Sequence, residues 1–335
     1  MKKIFKVIIT TLAFALLVPA GLATAQTTTK APTQATPGSG QALEIGPPVL
    51  TLSGDPGQTV KANISLRDIS PVKLVVSNEI NDFTAAGEDG TPKLMLDKSE
   101  TSPYSMKTWI SPLPKFTLVP KQVQTLPITI KIPATAAPGG YYSVIRFTGT
   151  PPGVEGTGVS LSASLGSLVF MKVNGDAKEQ MTLLDFYTAS GNSKNSLFES
   201  PPIGFVERIK NDGNIHEQPT GQIVVTDMFG KNVANVNVNM PPRNVLPGTI
   251  RKFEQTLDSS TIGNKFLFGK YTAKLDLTYG SGVEPLTGTI EFWVIPYKLI
   301  AFIMIVIIAL FFVIRYALKR YTARVLNQQS RGRRR

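Results

Sequence analysis

The chain has 335 residues, 42% apolar and 17% charged, with 28 Gly, 25 Pro, a single His and no Cys. The missing cysteines exclude disulfide scaffolds, CxxC redox motifs, thiolate zinc sites and cysteine nucleophiles. The one histidine, His216, excludes a two-histidine metal site and makes a His-dependent triad a poor candidate. The net charge of +12 is gathered at the ends, in Lys2, Lys3 and Lys6 and in eight basic residues from Arg315 to Arg335, leaving 24 basic against 23 acidic residues between them. Basic ends that flank the two long apolar runs indicate membrane topology, not a nucleic-acid surface.

The chain opens MKKIFKVIITTLAFALLVPAGLATAQ: a basic segment, an apolar stretch from Val7 to Val18, and a small-x-small site at Ala23-Thr24-Ala25 ahead of Gln26. These are the three parts of a secretory signal peptide, so residues 1–25 are expected to be cleaved on export. Residues 26–42 are Thr, Pro, Gly and Gln with almost no large apolar side chain, and read as a flexible leader.

From residue 43 to 175 the pattern becomes short runs of period two. Val60, Ala62, Ile64 and Leu66 alternate with Lys61, Asn63, Ser65 and Arg67, and Leu126, Ile128, Ile130 and Ile132 alternate with Pro127, Thr129 and Lys131. Such alternation marks half-buried antiparallel strands. Turn sequences separate the runs: GDPGQ at Gly54, GEDGTP at Gly87, APGG at Ala137. Further strands are expected near Val72–Ser77, Met106–Ile110, Tyr142–Thr148 and Leu168–Val173. Seven or so short strands without an amphipathic helix predict an immunoglobulin-like β-sandwich.

The polar stretch Val173–Gln180 reads as a domain boundary, and residues 178–295 repeat the pattern. Tyr271, Ala273, Leu275, Leu277 and Tyr279 share one face, as do Leu286, Ile290, Phe292 and Val294, with turns at NDGN (Asn211), FGKN (Phe229) and PGT (Pro247). A second sandwich is predicted, so the fold class is all-β: two tandem immunoglobulin-like β-sandwiches with one C-terminal transmembrane α-helix. That helix is read from the sixteen uncharged residues Leu299–Ile314, extended to residues 297–316. Trp293, Tyr297, Tyr316 and Tyr321 lie at its edges as interfacial aromatics do, and the basic tail, residues 317–335, acts as a positive-inside signal. The expected topology is single-pass in the plasma membrane, with both sandwiches extracytoplasmic and a cytoplasmic tail whose Asn327–Ser330 segment is flexible.

No catalytic constellation emerges. Glu88, Asp89 and Asp212 sit in turn sequences without EF-hand spacing, GVEGTG (Gly153–Gly158) lacks the P-loop ending, and no nucleophile elbow follows a strand. No enzyme activity, metal or cofactor is therefore expected, and His216 reads as a loop or strand-end residue. The cluster that carries recognition chemistry lies in SPYSMKTWISPLPKF and shortly after it: Tyr104, Lys107, Trp109, Lys115 and Lys121. Aromatic faces stack on sugar rings and lysines pair with carboxylates or phosphates. Trp109 is either part of this patch or a core tryptophan beneath it, the reading that sandwiches favour. Tyr141 and Tyr142, adjacent on a strand, point to opposite faces, so at most one is a surface contact.

DPGQTVKANISLRDIS, GEDGTPKL and FTLVPKQVQTLPITIKIPATAAPGGYYSVIRF together resemble the N-terminal peptidoglycan-binding module of the WxL-interacting proteins of Gram-positive cell surfaces. The order of signal peptide, two β-rich domains, membrane helix and basic tail is similar over the whole chain. The segment Ile209–Leu246 resembles an immunoglobulin-like module found beside membrane anchors in bacterial surface proteins. The resemblance implies cell-wall polymer, peptidoglycan, as the partner of the first domain and a surface protein as the partner of the second, with the lipid bilayer holding the helix. Two alternatives stand beside this: a chaperone-like assembly factor acting by β-strand augmentation, and a surface hydrolase with a carboxylate pair.

Overall fold

A computed structural model describes residues 43–332 apart from 98, 152–162, 264 and 282. The signal peptide, the leader, the GVEGTG loop and the last three arginines lie outside the described residues.

The first sandwich has two sheets. One is β1 (Leu43–Gly46), β3 (Thr59–Asp68) and β7 (Val123–Lys131), in that order. The other runs β2 (Val49–Gly54), β9 (Ala163–Val173), β8 (Gly139–Thr150), β4 (Leu74–Ala86), β5 (Thr91–Met95), with β6 (Phe116–Leu118) also paired to β4. β2 lies parallel to β9, and the other pairs of both sheets are antiparallel. Ile64 stands opposite Leu126 and Ala62 opposite Ile128 in the β3–β7 register, so the alternating apolar positions fall on one face. They meet Val76, Phe147, Val169 and Met171 from the other sheet, all fully buried. Gly87 and Gly90, both at φ 74°, close the β4–β5 hairpin in a backbone region that a Cβ disfavours.

Two strand expectations change. The strand expected at Val72–Ser77 is the start of the thirteen-residue β4. Met106–Ile110 is not a strand but a pair of tight turns, in which the Ser105 N–H donates to Ser102 O and the Trp109 N–H to Met106 O. Pro103, Pro112 and Pro114 break up the segment, and the Ser102 and Ser105 hydroxyls accept from the Tyr104 and Lys107 backbone N–H groups, offering the chain a local alternative to a ladder. The segment still covers the β7 edge: the Ser111 N–H donates to Thr129 O and the Lys131 N–H to Trp109 O, each at 2.9 Å.

The connection from Asn174 to Gln180 leads into the second sandwich. Its sheets are β11 (Ser193–Lys194), β10 (Met181–Ser190), β13 (Ile203–Asn211), β16 (Ile250–Leu257), and β12 (Leu197–Phe198), β18 (Leu286–Val294), β17 (Gly269–Thr278), β14 (Thr220–Asp227), β15 (Asn232–Val238). Phe205, Phe253, Phe292, Ile223 and Leu275 form its buried centre.

A third apolar cluster joins the two sandwiches. Phe83, Tyr142, Val144 and Phe170 lie on the outer face of the β4–β8–β9 sheet, and Leu246 from the β15–β16 connection packs on them. The His216 ring stands edge-on to Tyr142 and Phe170, at centroid separations of 5.6 and 5.2 Å. This sheet is therefore covered on both sides, which is why β8 is buried or half-buried at every position. Polar contacts fix the joint. The Gly140 N–H donates to Asn214 O at 2.8 Å, the Lys252 N–H donates to Glu88 O at 2.7 Å, and the Arg208 guanidinium grips Glu88 with two nitrogens and Asp185 with a third.

Pro296 precedes the helix α1 (Tyr297–Gly332), a position where its missing N–H and fixed φ suit a helix start. From Tyr297 to Tyr321 the helix is exposed on every side and about 37 Å long at ~1.5 Å per residue, so longer than a ~30 Å bilayer core, with Lys298, Arg315, Lys319 and Arg320 flanking the uncharged run Leu299–Ile314. The segment Asn327–Ser330, expected to be flexible, continues this helix. Ala, Arg, Leu and Gln are helix formers, and the stretch after Tyr321 holds no Pro, and no Gly before Gly332.

Candidate functional site

The five sequence-predicted binding residues do not share one surface. Tyr104 packs edge-on against Tyr142 at 6.1 Å, on the outer face of the sheet. Trp109 packs tilted against Tyr141, at a centroid separation of 4.4 Å and an interplanar angle of 46°, toward the core between the sheets. Tyr141 and Tyr142 point to opposite faces of β8, so the two aromatics of the expected patch lie on opposite sides. Lys107 is committed elsewhere: its Nζ donates to Glu100 O at 3.0 Å and Thr101 Oγ1 at 3.1 Å, and lies 3.7 Å from the buried Asp82 carboxylate. That carboxylate also accepts from the Ser105 hydroxyl at 2.7 Å and the Ser102 N–H at 3.1 Å. Lys115 is exposed beside β6. Lys121 is exposed in the turn before β7, at φ 66°, its N–H held by Asp68 O.

The sandwiches instead enclose a cleft of about 390 Å³ between them, a site that sequence reasoning missed. Phe83, Leu168 and Phe170 of the first sandwich make its apolar wall, and Arg243 and Arg251 of the second face it. Both guanidinium groups lie over the Phe253 ring, at 5.9 and 5.8 Å from its centroid. Arg251 donates from Nη1 to Asn244 O at 2.6 Å and from Nη2 to Asp89 O at 3.1 Å. Its Nε and the Asn244 Oδ1 are buried with no hydrogen-bond partner among the described residues. None of the ion pairs among the described residues uses either guanidinium. Burial, and next the proximity of Arg243, lower the Arg251 pKa, and the smaller opposing pull of Asp89 does not offset them, so an anion in the cleft would favour the charged guanidinium. The one signal available beforehand was PPRNVLPG, Pro241–Gly248, a turn-rich loop whose arginine has no acidic neighbour in sequence.

Other titratable groups are shifted by burial. Desolvation pushes the Glu207 carboxyl up to about 8 and the Glu217 carboxyl up to about 7, and lowers the His216 imidazole to about 4. Glu207 stands in the second core, where the Gln255 amide, in its favoured orientation, donates to it. His216 is in the joint, 3.3 Å from the Tyr142 hydroxyl through Nδ1. No group of three His, Asp or Glu side chains suited to a metal ion occurs among the described residues.

The arrangement defines an all-β protein of two immunoglobulin-like sandwiches followed by one helix long and apolar enough to cross a membrane. No family model and no curated protein matches the chain. Solved structures do match in fold. The YadV chaperone is 11% identical, with 75% of this chain and 99% of that chain covered and a TM-score of 0.35. A chain of the chaperone–tip adhesin complex of CFA/I fimbriae is 12% identical, over 74% of this chain and 98% of that one, with a TM-score of 0.37. A chain of the Salmonella enterica SafA pilin–SafB chaperone complex is 11% identical, over 74% and 96%, with a TM-score of 0.35.

Proposed function

We propose that the protein is a membrane-anchored, extracytoplasmic binding protein that holds cell-wall polymer through the cleft between its sandwiches and carries out no chemistry on it. The observation that carries this reading is the Arg243–Arg251 pair, unpaired with any carboxylate among the described residues and facing an apolar wall. Two adjacent cations over a hydrophobic floor suit a carboxylate on a partly apolar chain, and the peptide stems of peptidoglycan are such chains. The resemblance to WxL-interacting proteins supports the same partner. Lys115 and Lys121, exposed on the first sandwich, would add only screened, long-range attraction.

The test is sedimentation of the full chain, in detergent, with intact sacculi. Wild type is expected to co-sediment, and Arg243→Gln with Arg251→Gln to lose about tenfold or more in affinity, as for charge-assisted bonds worth ~1.5–3 kcal/mol. Lys115→Ala with Lys121→Ala should change little. If wild type stays in the supernatant at low salt, the wall-polymer reading fails. A protein partner presenting its carboxylate to the same cleft then takes its place.

A further inference from the structure

Exposed apolar side chains of the second sandwich gather at one end of its strands. Asp227 pairs with Tyr271 and Gly269 with Val294, so the turn after β14, the loop before β17 and the end of β18 come together. That end carries Phe229 at 87% exposure, Phe266 at 70%, Phe268 at 56% and Met228 at 52%. The Met228 side chain lies over Gly269, which ties the turn to the loop. Four large apolar side chains on neighbouring loop tips have no role in the core beneath them, and a patch of this kind marks a contact surface.

The position of α1 says what covers it. Only Ile295 and Pro296 separate Val294 from Tyr297, where the membrane-length helix begins. The helix start is tied to the sandwich: the Ile295 N–H donates to Phe198 O at 2.8 Å, and Lys298 pairs with Glu199 at 2.6 Å. The patch thus lies at the level where the helix would enter the bilayer, alongside Trp293 and Tyr297, both half exposed. Lys231 and Lys265, exposed beside the phenylalanines, suit phosphate headgroups.

We propose that this end of the second sandwich is a membrane-seating surface, in which Phe229, Phe266, Phe268 and Met228 enter the boundary between headgroups and acyl chains of the leaflet that α1 enters first. The domain then rests on the bilayer and is not merely tethered to it. The inference depends on the membrane-anchored reading but not on the wall ligand.

The chain has no cysteine, so single labels are unambiguous. An environment-sensitive fluorophore is placed at K231C beside the patch, at E284C at the opposite end of the same strands, or at I305C within the helix. Each full-length variant is reconstituted in phosphatidylcholine vesicles containing a headgroup-region or an acyl-chain quencher. The label at residue 305 should lose its emission to the acyl-chain quencher, the label at 231 to the headgroup-region quencher, and the label at 284 to neither. Combining Phe229→Ser, Phe266→Ser and Phe268→Ser, all at exposed positions, should restore emission at 231 while 305 stays quenched and the circular dichroism is unchanged. Quenching at 305 without quenching at 231 overturns the seating surface and leaves the anchor. Quenching at 231 that survives the triple variant shows that helix proximity alone holds the loop there, and also overturns it. No quenching at 305 overturns the anchored reading, and this inference falls with it.

Discussion

Adding one methyl at Gly140 should loosen the joint between the sandwiches. A Cβ there would collide with the Tyr142 hydroxyl on the same face of β8 and stand 3.2 Å from the Ile215 Cα of the second sandwich. Tyr142 is 2% exposed and boxed by Phe83, Tyr104, Phe170 and His216 at centroid separations of 6.2, 6.1, 5.4 and 5.6 Å, so its ring has little room to yield. Overpacking of this kind costs about 1–3 kcal/mol. Tyr142→Phe removes the oxygen that the methyl would meet most closely, leaves the ring carbon Cζ at 2.8 Å, and gives up one long hydrogen bond, about 0.5–1.5 kcal/mol. The double variant should therefore lose less than the sum of the singles, with a coupling of ~1 kcal/mol or more. The assay is urea unfolding of the full chain in detergent in a Trp293→Phe background, which leaves Trp109 as the sole tryptophan and a reporter of the first sandwich. Losses that add within ~0.5 kcal/mol would refute the collision and with it the tightness of the joint.

Titration supplies two further expectations. His216, near 4 when folded against an ordinary 6.5, refuses a proton that the unfolded chain accepts, so stability should fall as pH drops from 6.5 to 4, by up to ~3 kcal/mol. His216→Gln should flatten that limb in pH-dependent denaturation, and an unchanged slope would reject the assignment. Glu207, pushed up to about 8 by burial, contributes most below its unfolded value of 4.5, and stability is lost as pH rises toward 8. Glu207→Gln should accordingly raise the urea midpoint more at pH 8 than at pH 5, and an equal rise at both would count against it. For topology, protease added outside intact cells should degrade both sandwiches and leave a fragment containing α1 and the tail, whereas digestion of the tail from outside would invert the orientation.

What was legible was whatever one strand states about itself. The alternation along β3, β7 and β17 located their buried faces, and Asn211, whose side chain accepts from the Gly213 N–H and donates to Ile215 O and Val245 O, makes the turn that NDGN announces. The Met106–Ile110 error came from reading apolar spacing without weighing the serine hydroxyls that bind the backbone locally. The five-residue patch failed as a single surface because linear proximity across turns says nothing about which sheet face each side chain meets. The cleft was out of reach for a related reason. Arg243, Arg251, Phe83 and Phe170 become neighbours only when two sandwiches dock, and no local pattern encodes docking. The adjacent tyrosines came closest: opposite faces were certain, but what covers the outer one is decided by residues far along the chain.

That distance sets an order of events. Tyr142 and Phe170 receive their cover from His216 and Leu246, which come after Tyr142 by roughly seventy to a hundred residues. The first core closes only with β9, which ends at Val173, so at synthesis rates of ~5–20 residues per second it stands complete for about two to fifteen seconds before its outer aromatics are sheltered. During that interval β8 presents a greasy flank to whatever lies nearby. The nascent pair of sandwiches is thus most vulnerable when half complete, and slowing the arrival of the second sandwich, for example by cold or by a rare-codon run ahead of residue 214, should raise aggregation of the newly made chain without altering the finished protein.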